Sequence, residues 1–295
     1  MITLPKPPIF SFKEILWFLD RNYDDCLFVV SPNEVRRLVR FSEKKALISV
    51  KEGNKNLRIE LLAGDAFEKE LRNYITKWFD LNRDLNPFYD QLNNSSLSYM
   101  TKDFYGLRMV GIPDLFEAIC WCIIGQQINL NFAYKIKRRF VEAYGDKLSY
   151  EGVDFYTFPQ PEQLSMVTMN DLKEMQFSRQ KADYILTLAK TFIQGGIDQD
   201  SLSSRTSVER KSELLKLKGV GEWTANYVLM KTFGEMGSIP FGDIGLFKAL
   251  ENHQIITDRK DRKKIEQFFE SFPGWGGYLT LYLWRSLANS DSSAL

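Results

Sequence analysis

Residues 115–124, Leu-Phe-Glu-Ala-Ile-Cys-Trp-Cys-Ile-Ile, constrain the fold more than any other stretch of this chain. They are apolar almost all the way round a helical wheel, and a helix without a polar face is stable only when other elements cover every side of it. The segment is therefore expected to be a central buried helix. From Asp114 onward the pattern stays helical with short breaks, and residues 172–192 and 214–233 read as amphipathic helices suited to pack on it. At 295 residues, 44% of them hydrophobic and 14% aromatic, the sequence has ample core for one large or two modest domains.

The first part of the chain has a different period. Residues 27–30, 46–50 and 57–61 are short strand-like runs, the last two joined by Lys51-Glu52-Gly53-Asn54-Lys55, which reads as a hairpin. A small antiparallel sheet is predicted. Asp65, followed by Glu68, has the spacing of a capping box and predicts a helix through Leu71, Tyr74 and Phe79. Residues 82–103 mix Asn, Ser and Asp with little periodicity, and the domain boundary is placed there. The expectation is an α+β domain over 1–105, a helical domain over 106–288 and a disordered tail over 289–295, with order fading from Ser286.

Several function classes are excluded or disfavoured. The net charge of +1 does not announce a nucleic-acid binder, so any such binding rests on local clusters, Lys135, Lys137, Arg138 and Arg139, then residues 205–218. The same clusters also read as ordinary solvated helix faces. Cys26, Cys120 and Cys122 are odd in number, and two lie in the apolar run, so they read as small buried hydrophobes of a reduced compartment. His253 stands alone between Asn252 and Gln254, which offers no Ser-His-Asp motif and suggests a surface position. No basic region followed by an apolar core opens the chain, and no run approaches the roughly 18 apolar residues of a membrane span, so a cytoplasmic protein without a membrane partner is expected.

The chemistry concentrates around Leu217-Lys218-Gly219-Val220-Gly221-Glu222-Trp223-Thr224-Ala225. An apolar-periodic run over residues 212–217 breaks at Gly219 and Gly221, and a second helical run continues through Trp223, Tyr227, Val228 and Met230. Glycines permit positive φ and close backbone approach, and the amides that open the second helix are unsatisfied within it, so the turn offers a phosphate site. A merely structural helical hairpin fits the same pattern. Asp243 follows in Pro240-Phe241-Gly242-Asp243, where it reads as a reactive carboxylate, as the N-cap of a helix through residues 246–250, or as both.

Taken together, residues 217–227 and the Pro-x-x-Asp-x-Gly-Leu tail over residues 240–246 resemble the helix-hairpin-helix superfamily of DNA glycosylases, within it the 3-methyladenine DNA glycosylase II (AlkA) type. Phe116-Glu117-Ala118 with Ile124-Gly125-Gln126-Gln127-Ile128, then residues 177–182, then Trp275-Gly276-Gly277-Tyr278 leading to Trp284, match further blocks in the same order, over about residues 110–285. The resemblance implies an α+β protein, with a small antiparallel sheet domain like the TATA-binding fold followed by a two-lobed all-α helix-hairpin-helix domain. It also implies a glycosylase that acts, as a monomer, on double-stranded DNA carrying damaged bases.

By the same resemblance, Asp243 is the catalytic carboxylate, and Trp223, Tyr227 and Trp284 line a pocket for the extruded base. An aromatic stripe at helical spacing also reads as plain core. Gln126, Gln127, Lys218, Gly219, Val220, Gly221 and Thr224 are the expected DNA contacts, although Gln126 and Gln127 read equally as surface amides at a helix end. The carbonyls of Leu215, Leu217 and Val220 match positions that hold a monovalent cation, Na+ or K+, with no other cofactor required. Trp223 stands where lyase relatives carry a lysine, so a monofunctional hydrolase is expected, because a Schiff base needs an amine. Alkylated purines such as 3-methyladenine and 7-methylguanine are the implied substrates, with oxidised guanine as the alternative and a non-catalytic DNA-binding module as the rival of another class.

Overall fold

The computed structural model describes residues 1–21 and 23–291. In chain order the first part holds β1 (Ile2–Pro5), α1 (Phe12–Leu19), β2 (Phe28–Ser31), β3 (Glu34–Phe41), β4 (Lys44–Glu52), β5 (Asn56–Gly64), α2 (Glu68–Trp78), α3 (Asn86–Asn93) and α4 (Met100–Asp103). There follow α5 (Leu115–Gly125), α6 (Leu130–Tyr144), β6 (Lys147–Tyr150), β7 (Val153–Tyr156), α7 (Met169–Glu174) and α8 (Arg179–Ile193). The last part holds α9 (Gln199–Ser203), α10 (Ser207–Leu215), α11 (Glu222–Lys231), α12 (Ile244–Asn252), α13 (Arg262–Glu270) and α14 (Gly276–Asp291).

The five strands of the first layer pair antiparallel in the order β1-β5-β4-β3-β2. Alternation sends Val35, Val39, Ile48, Val50, Leu57 and Ile59 to one face, where α1 and α2 cover them with Phe12, Ile15, Leu71, Ile75 and Trp78. β3 escaped the sequence reading because Glu-Val-Arg-Arg-Leu-Val-Arg-Phe looks too charged for a strand. Arg37 nevertheless faces inward with Val35 and Val39: its guanidinium reaches Glu117 of α5 at 2.9 Å, and both side chains are buried. Glu117 is the one charge on the otherwise apolar α5, so this ion pair lets that helix be enclosed.

Two helical cores follow. In one, α5 is ringed by α6, α8 and α11, with Ile119, Ile123, Phe140, Ile185, Ala225 and Val228 in the centre. In the other, Met230, Leu246, Leu250, Tyr278 and Tyr282 pack on Phe88, Leu92, Met100 and Phe104. Residues 82–103, where the boundary was placed, therefore belong to the second core, and the limit expected at 105/106 falls inside a packed lobe. Its Asn and Ser residues mask a helical register because they sit at the ends of α3 and in the turns that lead to α4. The buried Arg108 guanidinium fastens the join by donating to the carbonyls of Ile9, Asp80 and Arg83.

Four further expectations change. α2 begins at Glu68, where Glu70 accepts from the Phe67 amide at 2.9 Å, whereas Asp65 pairs with Lys44 at 2.6 Å. The helical domain is not all-α: β6 and β7 form a hairpin turned by Glu151 and Gly152, and its Phe155 covers Leu38 and Leu47 on the outer sheet face. α11 is buried nearly all round rather than amphipathic, because it serves both cores. α14 runs to Asp291, so the tail expected to lose order from Ser286 is helical to that point, and residues 292–295 lie outside the described ones. No helix among the described residues is long and apolar enough to cross a membrane.

Removing one partner of the buried Arg37–Glu117 pair leaves an uncompensated charge and should cost about 3–5 kcal/mol. Urea unfolding of Glu117→Leu is expected to show this loss, and the double variant Arg37→Met/Glu117→Leu should recover most of it.

Candidate functional site

The hairpin is α10, a tight turn and α11. The turn closes with Val220 donating to the Leu217 carbonyl at 3.1 Å. Gly219 has φ +86°, and a Cβ there would lie 2.3 Å from the Tyr184 ring, so only glycine fits. Gly221 differs from expectation: its φ is −102°, and a Cβ would meet nothing within 4 Å. Its place as N-cap without a side chain is what matters, because the first helical bond runs from Ala225 to the Gly221 carbonyl. The amides of Glu222, Trp223 and Thr224 are thus left without partners inside α11.

A cleft of about 490 Å³ opens beside this turn, lined also by Gln127, Ser178, Gln180 and Lys181. Gln127 sits exposed at the α5–α6 loop with φ +57°, a conformation that is strained for a residue with a Cβ. Gln126, by contrast, is not free to reach outward. Its amide donates to the Gly219 carbonyl at 3.0 Å and so braces the hairpin against the end of α5. The Thr224 side chain is likewise turned inward, 2% exposed, so of that residue only the backbone remains at the helix mouth.

The basic clusters are largely neutralised in place. Lys211 pairs with Glu222 at 2.6 Å, Lys216 with Glu213 at 2.9 Å and Lys218 with Asp183 at 2.7 Å. Arg205 pairs with Glu213 at 2.7 Å, and Arg210 pairs with Glu235. In the other cluster Lys137 is buried on Asp25 at 2.7 Å and Arg138 bridges Asp24 and Glu142. The exposed pairs among these contribute little to stability, and the carboxylates cancel the attraction that the basic side chains would exert on a polyanion.

Asp243 is brought round by a tied return segment. Arg83 donates to the Gly234 carbonyl at 2.8 Å, Asn226 to the Ile239 carbonyl at 2.8 Å, and the Gly277 amide to Met236 at 2.6 Å. Gly242, at φ +96°, then makes the final turn. Asp243 is the N-cap of α12: Oδ1 accepts from the Leu246 amide at 2.7 Å and also from the Trp284 indole at 2.9 Å. Oδ2 carries no hydrogen bond among the described residues. Trp284 continues into an aromatic wall, 6.3 Å from Tyr227, which lies 5.6 Å from Trp223. The Trp223 indole nitrogen is buried without a partner.

Behind the wall stand residues that carried no signal in the sequence. Trp121 lies 4.7 Å from Tyr134, which stacks at 4.8 Å on Tyr23, while the guanidinium of Arg21 covers Phe18 at 4.2 Å. The buried Lys231 ammonium donates to the Val110 carbonyl at 2.6 Å, and desolvation, with Arg21 nearby, pushes its pKa down to about 7. These residues come from α1 and the segment after it, α5, α6 and the last turn of α11, so no local pattern could have grouped them. Burial raises the Cys122 thiol well above its ordinary value, and Cys26 is pushed up to about 12, which leaves the thiols unreactive. His253 is half-buried rather than superficial: Nδ1 bonds Ala249 at 2.7 Å and Nε2 pairs with the Tyr99 hydroxyl at 2.8 Å, outside this site. Among the described residues, no group of three or more His, Cys, Asp or Glu could hold a metal ion.

Comparison with known proteins agrees with this architecture. Residues 120–273 match the HhH-GPD superfamily base excision DNA repair protein family. Residues 31–119 match the 8-oxoguanine DNA glycosylase, N-terminal domain family. The chain is 33% identical over 294 residues to a DNA-3-methyladenine glycosylase of Bacillus subtilis (strain 168), covering 97% of each. Its fold is shared with a 3-methyladenine DNA-glycosylase from Archaeoglobus fulgidus, at a TM-score of 0.84 and 23% identity over 100% of both chains. It is also shared with a Clostridium acetobutylicum 8-oxoguanine glycosylase/lyase in complex with dsDNA, at a TM-score of 0.71 and 21% identity over 91% and 99%.

The two glycines should respond differently to the same change. Gly219→Ala combines a left-handed backbone with a clash and is expected to lower unfolding free energy by about 1–3 kcal/mol, whereas Gly221→Ala should stay within about 1 kcal/mol. Denaturant titration of both variants checks the contrast.

Proposed function

Because the chain belongs to the HhH-GPD superfamily of base excision DNA repair proteins, we propose that it is a monofunctional DNA glycosylase of the 3-methyladenine II type. It hydrolyses the N-glycosidic bond of alkylated purines, 3-methyladenine and 7-methylguanine, in double-stranded DNA. The observation that carries this reading is the aromatic wall Trp223–Tyr227–Trp284 ending on a carboxylate with one oxygen fixed and the other without a hydrogen bond among the described residues.

Breaking the bond from sugar C1′ to the base gives the sugar oxocarbenium character, so a fixed anion stabilises charge that develops only in the transition state. Asp243 supplies that anion. The α12 amide and the Trp284 indole hold Oδ1, which keeps the carboxylate oriented. Water adds to C1′ and gives up a proton to solvent, and the cationic base leaves as a neutral purine with the electron pair of the broken bond. An alkylated purine is cationic, and indole and phenol faces attract cations by about 0.5–2 kcal/mol once water is excluded.

Flipping the nucleotide costs a few kcal/mol of stacking, and Gln127, held exposed on a strained backbone, is suited to fill the gap. The amides opening α11 and the backbone from Gly219 to Gly221 grip phosphate. The carbonyls of Leu215, Leu217 and Val220 would hold a monovalent cation. All three are neutral oxygen donors, and Leu217 keeps a second lone pair beyond its bond to Val220. Na+ or K+ bound there would bridge the hairpin to DNA phosphate.

Asp243→Asn keeps an N-cap and an acceptor for Trp284, so stability should hold within about 0.5 kcal/mol. Release of 3-methyladenine should fall on the order of 10²–10³-fold. Equal activity in both proteins would remove Asp243 from the mechanism. The match over residues 31–119 favours a second reading, oxidised-guanine removal, which a parallel 8-oxoguanine release assay distinguishes. Borohydride should trap no covalent adduct with DNA, since Trp223 offers no amine.

A further inference from the structure

The hairpin spends its cationic side chains on neighbouring carboxylates, yet a segment on another element keeps three lysines unpaired among the described residues. Residues 259–264, the end of the α12–α13 loop and the start of α13, contain Arg259, Lys260, Arg262, Lys263 and Lys264 against one acid, Asp261, and all are exposed. Arg259 pairs with Glu251 at 2.6 Å and Arg262 with Glu266 at 2.7 Å. Lys260, Lys263 and Lys264 form no ion pair among the described residues. In a chain of net charge +1, such a local excess stands out electrostatically.

Its position links it to the candidate site. The Arg262 guanidinium lies 5.6 Å from the centre of the Phe241 ring, in the turn that delivers Asp243. Glu266 chiefly raises the Arg262 pKa, and Glu222, the first residue of α11, adds to it. The α13 N-terminus is already capped, since Asp261 accepts from the Lys264 amide at 3.0 Å. Any anion held here therefore meets ammonium groups rather than bare helix amides.

We propose that residues 259–264 form a second contact with the DNA sugar-phosphate backbone, beside Asp243 and apart from the hairpin, through Lys260, Lys263 and Lys264. This rests on the reading that Asp243 acts on duplex DNA. Point charges on exposed flexible stems suit sequence-independent docking, in which released counterions supply the affinity. The division of labour is physical: neutral amides of the hairpin fix register at short range, and the free lysines supply the salt-dependent attraction.

The test is the salt dependence of binding of the full chain to an undamaged duplex, together with single-turnover release of 3-methyladenine at saturating enzyme. Each phosphate contact contributes about 0.9 to the slope of log affinity against log salt, so Lys260→Ala/Lys263→Ala/Lys264→Ala should reduce its magnitude by about two to three. Release at saturation should stay within about twofold of wild type, since chemistry does not use these groups. The variant Lys260→Arg/Lys263→Arg/Lys264→Arg should keep the wild-type slope, and so should Lys13→Ala/Lys69→Ala/Lys102→Ala, which removes three exposed lysines elsewhere. An unchanged slope in the first alanine variant, an equal fall in the second, or a fall in the arginine variant would each overturn the proposal. Wild type that binds duplex with the expected slope but releases no alkylpurine would sink the substrate reading and leave this contact standing. No duplex binding by wild type would end both.

Discussion

The ion pair between Arg37 and Glu117 is the contact on which the remaining architecture rests. α5 is the hub of the first helical core, and its lone charge must be satisfied if the helix is to be covered on every side. Arg37 meets it from a sheet strand, so the solvation requirement of one side chain locks the sheet layer onto the helical layer. A second buried pair, Lys137 with Asp25, repeats the device at α6. Such pairs specify which surfaces meet more than they add stability. The consequence reaches the candidate site, because the far end of the same helix sends Gln126 to brace the hairpin turn.

α11 turns that frame into a site. It is buried by two cores at once, so Tyr227 is both a packing residue and part of the aromatic wall. The reading of an aromatic stripe as core and the reading as pocket are therefore compatible. The same holds for Asp243, which caps α12 and presents a carboxylate with the same oxygen shared between an amide and an indole. Packing positions these groups, and the price is buried polarity: Lys231 lies in the core with a carbonyl and no carboxylate partner among the described residues.

Electrostatics are arranged against the simplest expectation. A hairpin rich in lysine looks like the source of attraction for DNA, yet Lys211, Lys216 and Lys218 each lean on a carboxylate. What the turn offers is geometry, in the form of unpaired amides at the start of a helix and a glycine that no other residue could replace. Long-range attraction is then left to charges elsewhere on the surface.

The sequence by itself determined the central helix, the sheet at the N-terminal end and the two-glycine hairpin, and it singled out Trp223, Tyr227, Asp243 and Trp284, which the fold brings together. Each is legible because its signal is local: an uninterrupted apolar run, alternation, paired glycines, an ordered set of motifs. Only the tertiary structure decided that residues 82–103 belong to a helical lobe, since their burial depends on partners at residues 230–283. It also decided that Arg37 points inward, that Gln126 and Thr224 turn away from solvent, and that Phe18, Arg21, Trp121, Tyr134 and Lys231 gather behind the wall. Those facts depend on which charge meets which across elements far apart in the chain. Periodicity carries information over one or two turns, whereas a buried ion pair or a shared pocket is settled only when the layers close.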